Sequence, residues 1–158
     1  MPRTSLTLAP SQPTPQKLLI ISCSAAKRRR PAARTPAIER YDGVFFKVLR
    51  KALRQGHPRW PIAILIISAK YGLITPDTLI PNYDIEMNAR QAEKLASSIR
   101  AKLQQIISHT KPREILINLG QTYAKTIRDL PELQNASWVA GPIGKRASIL
   151  KAWLTHDN

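Results

Sequence analysis

Cysteine is almost missing from this chain: Cys23 stands alone among 158 residues. One thiol excludes an internal disulfide and a cysteine-built zinc site. It agrees with a reducing compartment, and the expected location is cytoplasmic. Histidine is scarce too. His57, His109 and His156 fall at expected helix ends or in the tail, so no metal site is expected and no cofactor. Aromatic residues make up 6% and form no interleaved series, which argues against a platform for stacking single-stranded bases. No apolar run approaches the roughly 20 residues of a membrane-crossing helix, and no membrane partner is expected. Residues 1–16 carry four prolines and no apolar stretch of signal-peptide length. They read as a flexible tail before one domain at 17–158.

Negative charge is the other shortage. Ten acidic residues face 25 Lys and Arg, a net charge of +15. Between Lys17 and Arg59 there are twelve basic residues and two acidic ones, Glu39 and Asp42, so this segment supplies about two thirds of the surplus. Such an excess repels itself in a compact state, and an anionic partner relieves it. Nucleic acid is the first candidate, because neutralised phosphates release condensed counterions. Hydrophobic residues make up 43%, enough for a globular core.

Four apolar runs read as buried strands: Leu18–Ser22, Ile62–Ser68, Ile115–Leu119 and the less apolar Ser137–Ala140. The first three are nearly continuous rather than alternating, which suits strands covered on both faces. Helical patterns lie between them at 43–55, 89–108, 121–129 and 145–154. Asn88 and Gln91 have the spacing of a capping box at the start of the second. The alternation predicts a single α/β domain. Its form is a mostly parallel four-stranded sheet with helices on both faces, a Rossmann-like three-layer sandwich. Two long loops, 25–42 and 71–87, interrupt it; loops of this length in a compact domain are either functional or disordered.

In an open α/β sheet, ligands bind beyond the carboxyl ends of the strands. That rule places Ser22, Cys23 and Ser24 on one rim, together with Ser68, Lys70, Tyr71 and Gly72, then Asn118 and Gly120, and lastly Gly141, Gly144, Lys145 and Arg146. Each hydroxyl or glycine taken singly reads as a strand terminator or helix cap. Together they favour an anion or nucleotide pocket. Lys145 and Arg146 open a helix at the positive end of its dipole. This is locally unfavourable unless an anion sits there or both side chains point into water, and both readings stay open. GPIGKRAS resembles a phosphate loop but has Val139 where the first glycine belongs and Arg146 in place of the metal-binding Ser or Thr, which argues against ATP hydrolysis. Cys23 is either a nucleophile or, the favoured reading, a packed small side chain. Lys70 directly precedes the 71–87 loop, and Tyr83 and Asp84 lie inside it. Asp84 either orients a water or ribose hydroxyl beside a cation or forms an Asx turn.

Lys47, Arg50, Lys51 and Arg54 recur at i, i+3, i+4 and i+7 on the helix at 43–55, opposite Phe45, Phe46, Leu49, Ala52 and Leu53. A solvated face and a membrane-surface helix are the alternatives. Phosphate contact is favoured, because Lys27, Arg28, Arg29, Arg30 and Arg34 precede the stripe and extend it to one patch.

Ile67-Ser68-Ala69-Lys70-Tyr71-Gly72-Leu73-Ile74, followed by Ile80-Pro81-Asn82-Tyr83-Asp84, resembles the SAKYGLL…PYD signature of the YaaA-like peroxide-stress proteins and their small uncharacterised relatives. Cys23, Ser24 and Lys27 are similar to that group's C-S-x-x-K start. Tyr41, Gly43 and Phe46 match its next aromatic block. Ile143-Gly144-Lys145-Arg146 with Leu150 and Trp153 resembles its closing segment. The resemblance implies an α/β domain, DNA binding and a role in protecting DNA from oxidative damage. Related domains accompany base-modifying enzymes of tRNA and DNA.

Two functions are therefore expected. The first is a nucleic-acid-binding domain, for DNA ahead of RNA, with a nucleotide or phosphate ligand at the strand ends. The second is an enzyme acting on a nucleotide or nucleobase by N-glycosidic or base-modifying chemistry. In it, Lys70, Lys145 and Arg146 hold phosphate, Asp84 orients a hydroxyl or water, and Cys23 or Ser24 lines the pocket.

Overall fold

The apolar runs around Ile20, Ile66 and Ile117 lie side by side, because each offers hydrophobic side chains to both faces. The computed structural model describes residues 17–30 and 33–156; the tail expected at 1–16 lies outside the described residues. In order the chain forms β1 (Lys17–Ser22), β2 (Thr35–Pro36), α1 (Ala37–Arg40), α2 (Val44–Arg54), β3 (Ile62–Ser68), β4 (Gly72–Ile74), β5 (Leu79–Ile80), α3 (Ala89–Thr110), β6 (Glu114–Asn118), α4 (Gln121–Ala124), β7 (Ser137–Trp138) and α5 (Ile143–Thr155).

The main sheet has the order β4-β3-β1-β6-β7. β3 and β6 both pair with β1 in parallel, with Ile21 opposite Ile66 and Asn118. Side chains alternate between two cores. Leu18, Ile20, Leu65, Ile67 and Ile117 pack with Ile99 and Leu103 of α3. Leu19, Ile21, Ile64, Ile66 and Leu116 pack with Phe46 and Leu49 of α2 and with Leu150 and Leu154 of α5. Helices thus cover both faces. Each fully buried Leu or Ile contributes about 1.5–3 kcal/mol.

The sheet has five strands, not four. The extra one is β4, antiparallel to β3, with Gly72 opposite Ser68. It is three residues long and sits in a stretch that reads as a loop. Gly72 makes the reversal possible: its φ is +73°, a backbone region costly to other residues. It is a buried hinge against Ile99 rather than a pocket residue. α4 also stops early, before the expected 129. After Ala124 the chain tightens to i→i−3 bonds, and the Thr126 hydroxyl donates to Tyr123 O at 2.6 Å, competing with the helical ladder. At the start of α3, Asn88 Oδ1 accepts from Gln91 N at 2.8 Å as the capping pattern requires. The Gln91 amide donates instead to Ala69 O at 2.6 Å, fastening α3 to the β3–β4 turn.

The two long loops join. β2 and β5 form a two-stranded antiparallel sheet, and Lys27 bridges to Tyr41. Arg40, fully buried, donates to the carbonyls of Arg28 (2.7 Å), Ala33 (2.6 Å) and Ile80 (3.5 Å). At the opposite end of the sheet, Lys17 lies 4.1 Å from the Trp60 ring centroid and 3.2 Å from Glu114. Trp153 donates to the same carboxylate at 2.6 Å.

Two glycines make opposite predictions. A Cβ on Gly43 would sit 2.7 Å from Ser24 Cβ, whereas one on Gly144, inside α5, would meet nothing within 4 Å. Gly43→Ala is expected to lower stability by about 1–3 kcal/mol in urea denaturation. Gly144→Ala is expected to raise it by about 0.5–1 kcal/mol through helix propensity.

Candidate functional site

The sheet's order reverses at β1. β3 lies on one side of it and β6 on the other. The chain leaves β1 toward α1 and α2 on one face and leaves β6 toward α4 on the other. A crevice forms where such connections diverge. Ser22, half-buried, ends β1, and Cys23 N extends the ladder to Ile67 O at 3.0 Å. Asn118 ends β6, and Gly120 caps α4.

A network of hydroxyls and one thiol fills this end. Tyr123, in α4, reaches across the crevice so that its hydroxyl lies 3.1 Å from Cys23 Sγ. Ser68 Oγ accepts from the amides of Lys70 (3.2 Å) and Tyr71 (3.1 Å), which fixes the turn after β3. The same oxygen is 2.9 Å from the Tyr83 hydroxyl and accepts from Tyr41 at 3.3 Å. Tyr41 and Tyr83 are also hydrogen-bonded to each other. The Tyr83 ring stands edge-on to Tyr71 (5.5 Å) and Tyr41 (6.3 Å). Lys27 Nζ lies 4.5 Å from the Tyr83 centroid, and Lys70 Nζ lies 5.2 Å from that of Tyr71.

Burial raises the pKa of Tyr41, Tyr83 and Tyr123 well above the usual phenol value, and the neighbouring Cys23 adds to the rise. These phenols stay protonated, so they offer neutral O–H donors and are not bases. Glu86 adds a weaker negative influence on Tyr123.

Next to this network, Arg146 Nε donates to Asn118 Oδ1 at 3.0 Å. The guanidinium lies 4.9 Å from the Phe45 ring centroid in the first turn of α2. Burial lowers its pKa. Asn118 is 0% exposed, and its Nδ2 has no hydrogen-bond partner. A buried donor left unpaired costs about 1–3 kcal/mol.

Other expected pocket residues have different duties. Ser24 Oγ accepts from Gly43 N at 3.1 Å and donates to Ala26 O at 2.6 Å, clasping the start of α2. Lys145 is exposed, with its stem 3.3 Å from where a Gly141 Cβ would lie. Gly144 is exposed in α5, and Gly141 has φ +111°. Asp84 is exposed and does not pair with Lys70, so the structure does not bring the aspartate into the network. Among the described residues no group of three or more His, Cys, Asp or Glu is placed to hold a metal ion. A hollow of about 260 Å³ between β4 and α3, lined by Leu65, Leu73, Ile74, Thr75, Lys102, Gln105 and Ile106, contains none of the network residues.

The basic face is split. Arg50 is a correction to the expected stripe: it turns inward, 6% exposed, and donates to Ile38 O (2.9 Å), Tyr41 O (2.6 Å) and Asp42 Oδ1 (2.6 Å). Its reach spans the hydrophobic side of the loop before α2, where a carboxylate and two carbonyls match a guanidinium fork. Arg28 pairs with Glu39 (3.3 Å) and Asp42 (3.7 Å). Both acids of this segment are thereby occupied. Arg29, Arg30, Arg34, Lys47, Lys51 and Arg54 are exposed and pair with no acid among the described residues.

Sequence reasoning placed Asn118 on the rim by the strand-end rule and gave no site role to Tyr41, Tyr123 or Phe45. Tyr123 had one usable signal: a polar aromatic in the first turn after a strand-ending Gly120, at the face where ligands bind. Asn118 was marked by its place, a polar residue at the buried carboxyl end of an apolar run.

An unfolded phenol titrates near pH 10. Below that, both states keep the proton and the stability contribution is fully present. Above it, the unfolded chain binds fewer protons than the folded one, so stability falls as pH rises. For buried Tyr41 the slope approaches about 1.4 kcal/mol per pH unit; half-buried Tyr83 and Tyr123 add less because of solvent screening. Urea denaturation across this range is expected to show the fall, and Tyr41→Phe to remove about one proton's share of it.

A family model described as a family of unknown function (DUF6884) matches residues 18–155. No curated protein matches the sequence. The matched span takes in every strand of the sheet and both helices that begin beside Arg146, and the chain belongs to the DUF6884 family.

Proposed function

We propose that this protein is a cytoplasmic nucleic-acid-binding α/β domain of Rossmann-like form, for DNA ahead of RNA, with an anion or nucleotide pocket at the strand ends. The observation that carries the reading is the division of charge on its basic face. Glu39 and Asp42 are taken by Arg28 and Arg50. Arg29, Arg30, Arg34, Lys47, Lys51 and Arg54 are left exposed without an internal counter-charge. Lys47, Lys51 and Arg54 share one side of α2 at i, i+4 and i+7. Asp42, held by both Arg28 and Arg50, ties the basic loop to that helix. Duplex phosphates complement such a surface without base contacts. The resemblance of the SAKYGLI and PNYD segments to YaaA-like proteins supports a link to DNA protection under oxidative stress.

A second reading, an enzyme acting on a nucleotide or nucleobase, draws on one observation. The Cys23 thiol is bonded to Tyr123 beside the Ser68, Tyr41 and Tyr83 hydroxyls. In this reading Cys23 and Lys70 are the reactive candidates, and Asp84 acts only if its loop closes on the network.

Filter binding to duplex DNA tests the first reading. Six neutralised phosphates give a log–log salt slope of about −5. Lys47/Lys51/Arg54→Ala is expected to weaken binding and to reduce the slope by about 3. Arg50→Ala is expected instead to lose about 3–5 kcal/mol of stability, because it strands a carboxylate and two carbonyls. No binding at low salt, or a triple variant with the wild-type slope, rejects the assignment.

A further inference from the structure

A buried amide donor without an acceptor and a guanidinium without a carboxylate stand together at the rim. The Nε–H of Arg146 requires an oxygen opposite it, so the Asn118 amide is oriented with Oδ1 toward the guanidinium and Nδ2 away. That Nδ2 is buried and unpartnered. The guanidinium is half-buried against Phe45, and no carboxylate among the described residues neutralises it. Arg146 lies in the first turn of α5 and Phe45 in the first turn of α2, so the positive ends of two helices of eleven and thirteen residues meet here. The group that suits these donors is an anion that accepts from several directions at once. A phosphomonoester, with three acceptor oxygens, has that form.

What lies beside the anion position limits what the phosphate carries. Asn118 pairs with Ile21 on β1, and Cys23 is two residues further along. Strand spacing puts the Cα atoms of Cys23 and Asn118 about 8 Å apart. A group extending from the phosphate in that direction meets Cys23, the Tyr123 hydroxyl 3.1 Å from it, and then Tyr83. These are neutral donors and aromatic edges, with Lys27 over the face of Tyr83. Such a wall suits a polar, uncharged heteroaromatic ring and its sugar hydroxyls.

We propose that the rim between β1 and β6 binds a nucleoside monophosphate, with the phosphate on Arg146 and the Asn118 amide and the nucleoside against Cys23, Tyr123 and Tyr83. The inference rests on the pocket in the function proposed above and narrows it to a ligand class.

The test is thermal shift and calorimetry on the full chain with inorganic phosphate, ribose 5-phosphate, nucleosides and nucleoside 5′-monophosphates. At least one monophosphate is expected to raise the melting temperature by mass action and to bind about tenfold or more tighter than ribose 5-phosphate; nucleosides alone give no shift. Asn118→Asp is close to isosteric and presents its own negative charge to Arg146. It is expected to melt higher than wild type without ligand and to lose the phosphate response. Arg146→Gln, at a half-buried helical position that tolerates the change, is expected to bind the monophosphate about tenfold or more weaker; it gives the answer even if Asn118→Asp does not fold. Absence of any shift at millimolar monophosphate overturns the proposal, as does a wild-type response in both variants. Equal affinity for ribose 5-phosphate and every monophosphate overturns the nucleoside assignment. Duplex DNA titrated against the wild-type protein separates the two ideas. A nucleotide response without DNA binding rejects the nucleic-acid reading and leaves this site standing, and the converse rejects only this site.

Discussion

Two inward-facing guanidinium groups hold together the loops beside the candidate site. Arg40 gathers carbonyls from three separate stretches, at Arg28, Ala33 and Ile80. Arg50 gathers two more and the Asp42 carboxylate. The segment from 25 to 42 has few hydrophobic side chains with which to pack, so it is anchored through its backbone oxygens. Guanidinium suits this use because it is planar, permanently charged and carries five N–H donors. Lys27, Tyr41 and the exposed arginines take their places from that anchoring. Part of the positive charge that the composition displays is therefore internal structure and never faces a partner.

The outside and the crevice offer different chemistry. The outer face presents unpaired cations, which attract any polyanion at long range and lose strength as salt rises. The crevice presents hydroxyls held protonated by burial, with a single guanidinium and a single amide at its edge. Neutral donors discriminate by geometry rather than by attraction, because a group that fails to match leaves buried O–H bonds unsatisfied. On the proposed function, capture and recognition fall to different parts of one small domain.

Much of the architecture was legible in the sequence, because continuous β-branched runs have few other uses in a chain of this length. The three central strands and the helices α2, α3 and α5 lie within a residue or two of expectation. β4 was not legible: three residues carry no periodicity, and its existence depends on the turn that Ser68 and Gly72 build. The pairing of β2 with β5 depends on contacts between residues more than forty positions apart, which local pattern cannot encode. The site shows the same division. The rule about strand ends put Cys23, Ser68, Asn118 and Arg146 on one rim, where the structure also has them. It could not find Tyr41 and Tyr123, which arrive from other elements. Helical spacing misplaced Arg50, since it gives the side on which a residue sits but not whether neighbouring carbonyls will draw a long side chain inward.

The Lys17, Trp60, Trp153 and Glu114 assembly lies at the far end of β1 from the crevice, and it fastens the beginning of the first strand to the end of the last helix. Trp60 adds a bond to the His156 carbonyl at 3.3 Å. The described chain thus starts and finishes at neighbouring points, both remote from the crevice rim. A resin, a surface or a fused partner attached through either of those points leaves the rim facing outward. The same proximity makes residues 17–156 a natural candidate for circular permutation, with new ends opened in a surface turn and positions 17 and 156 joined by a short linker.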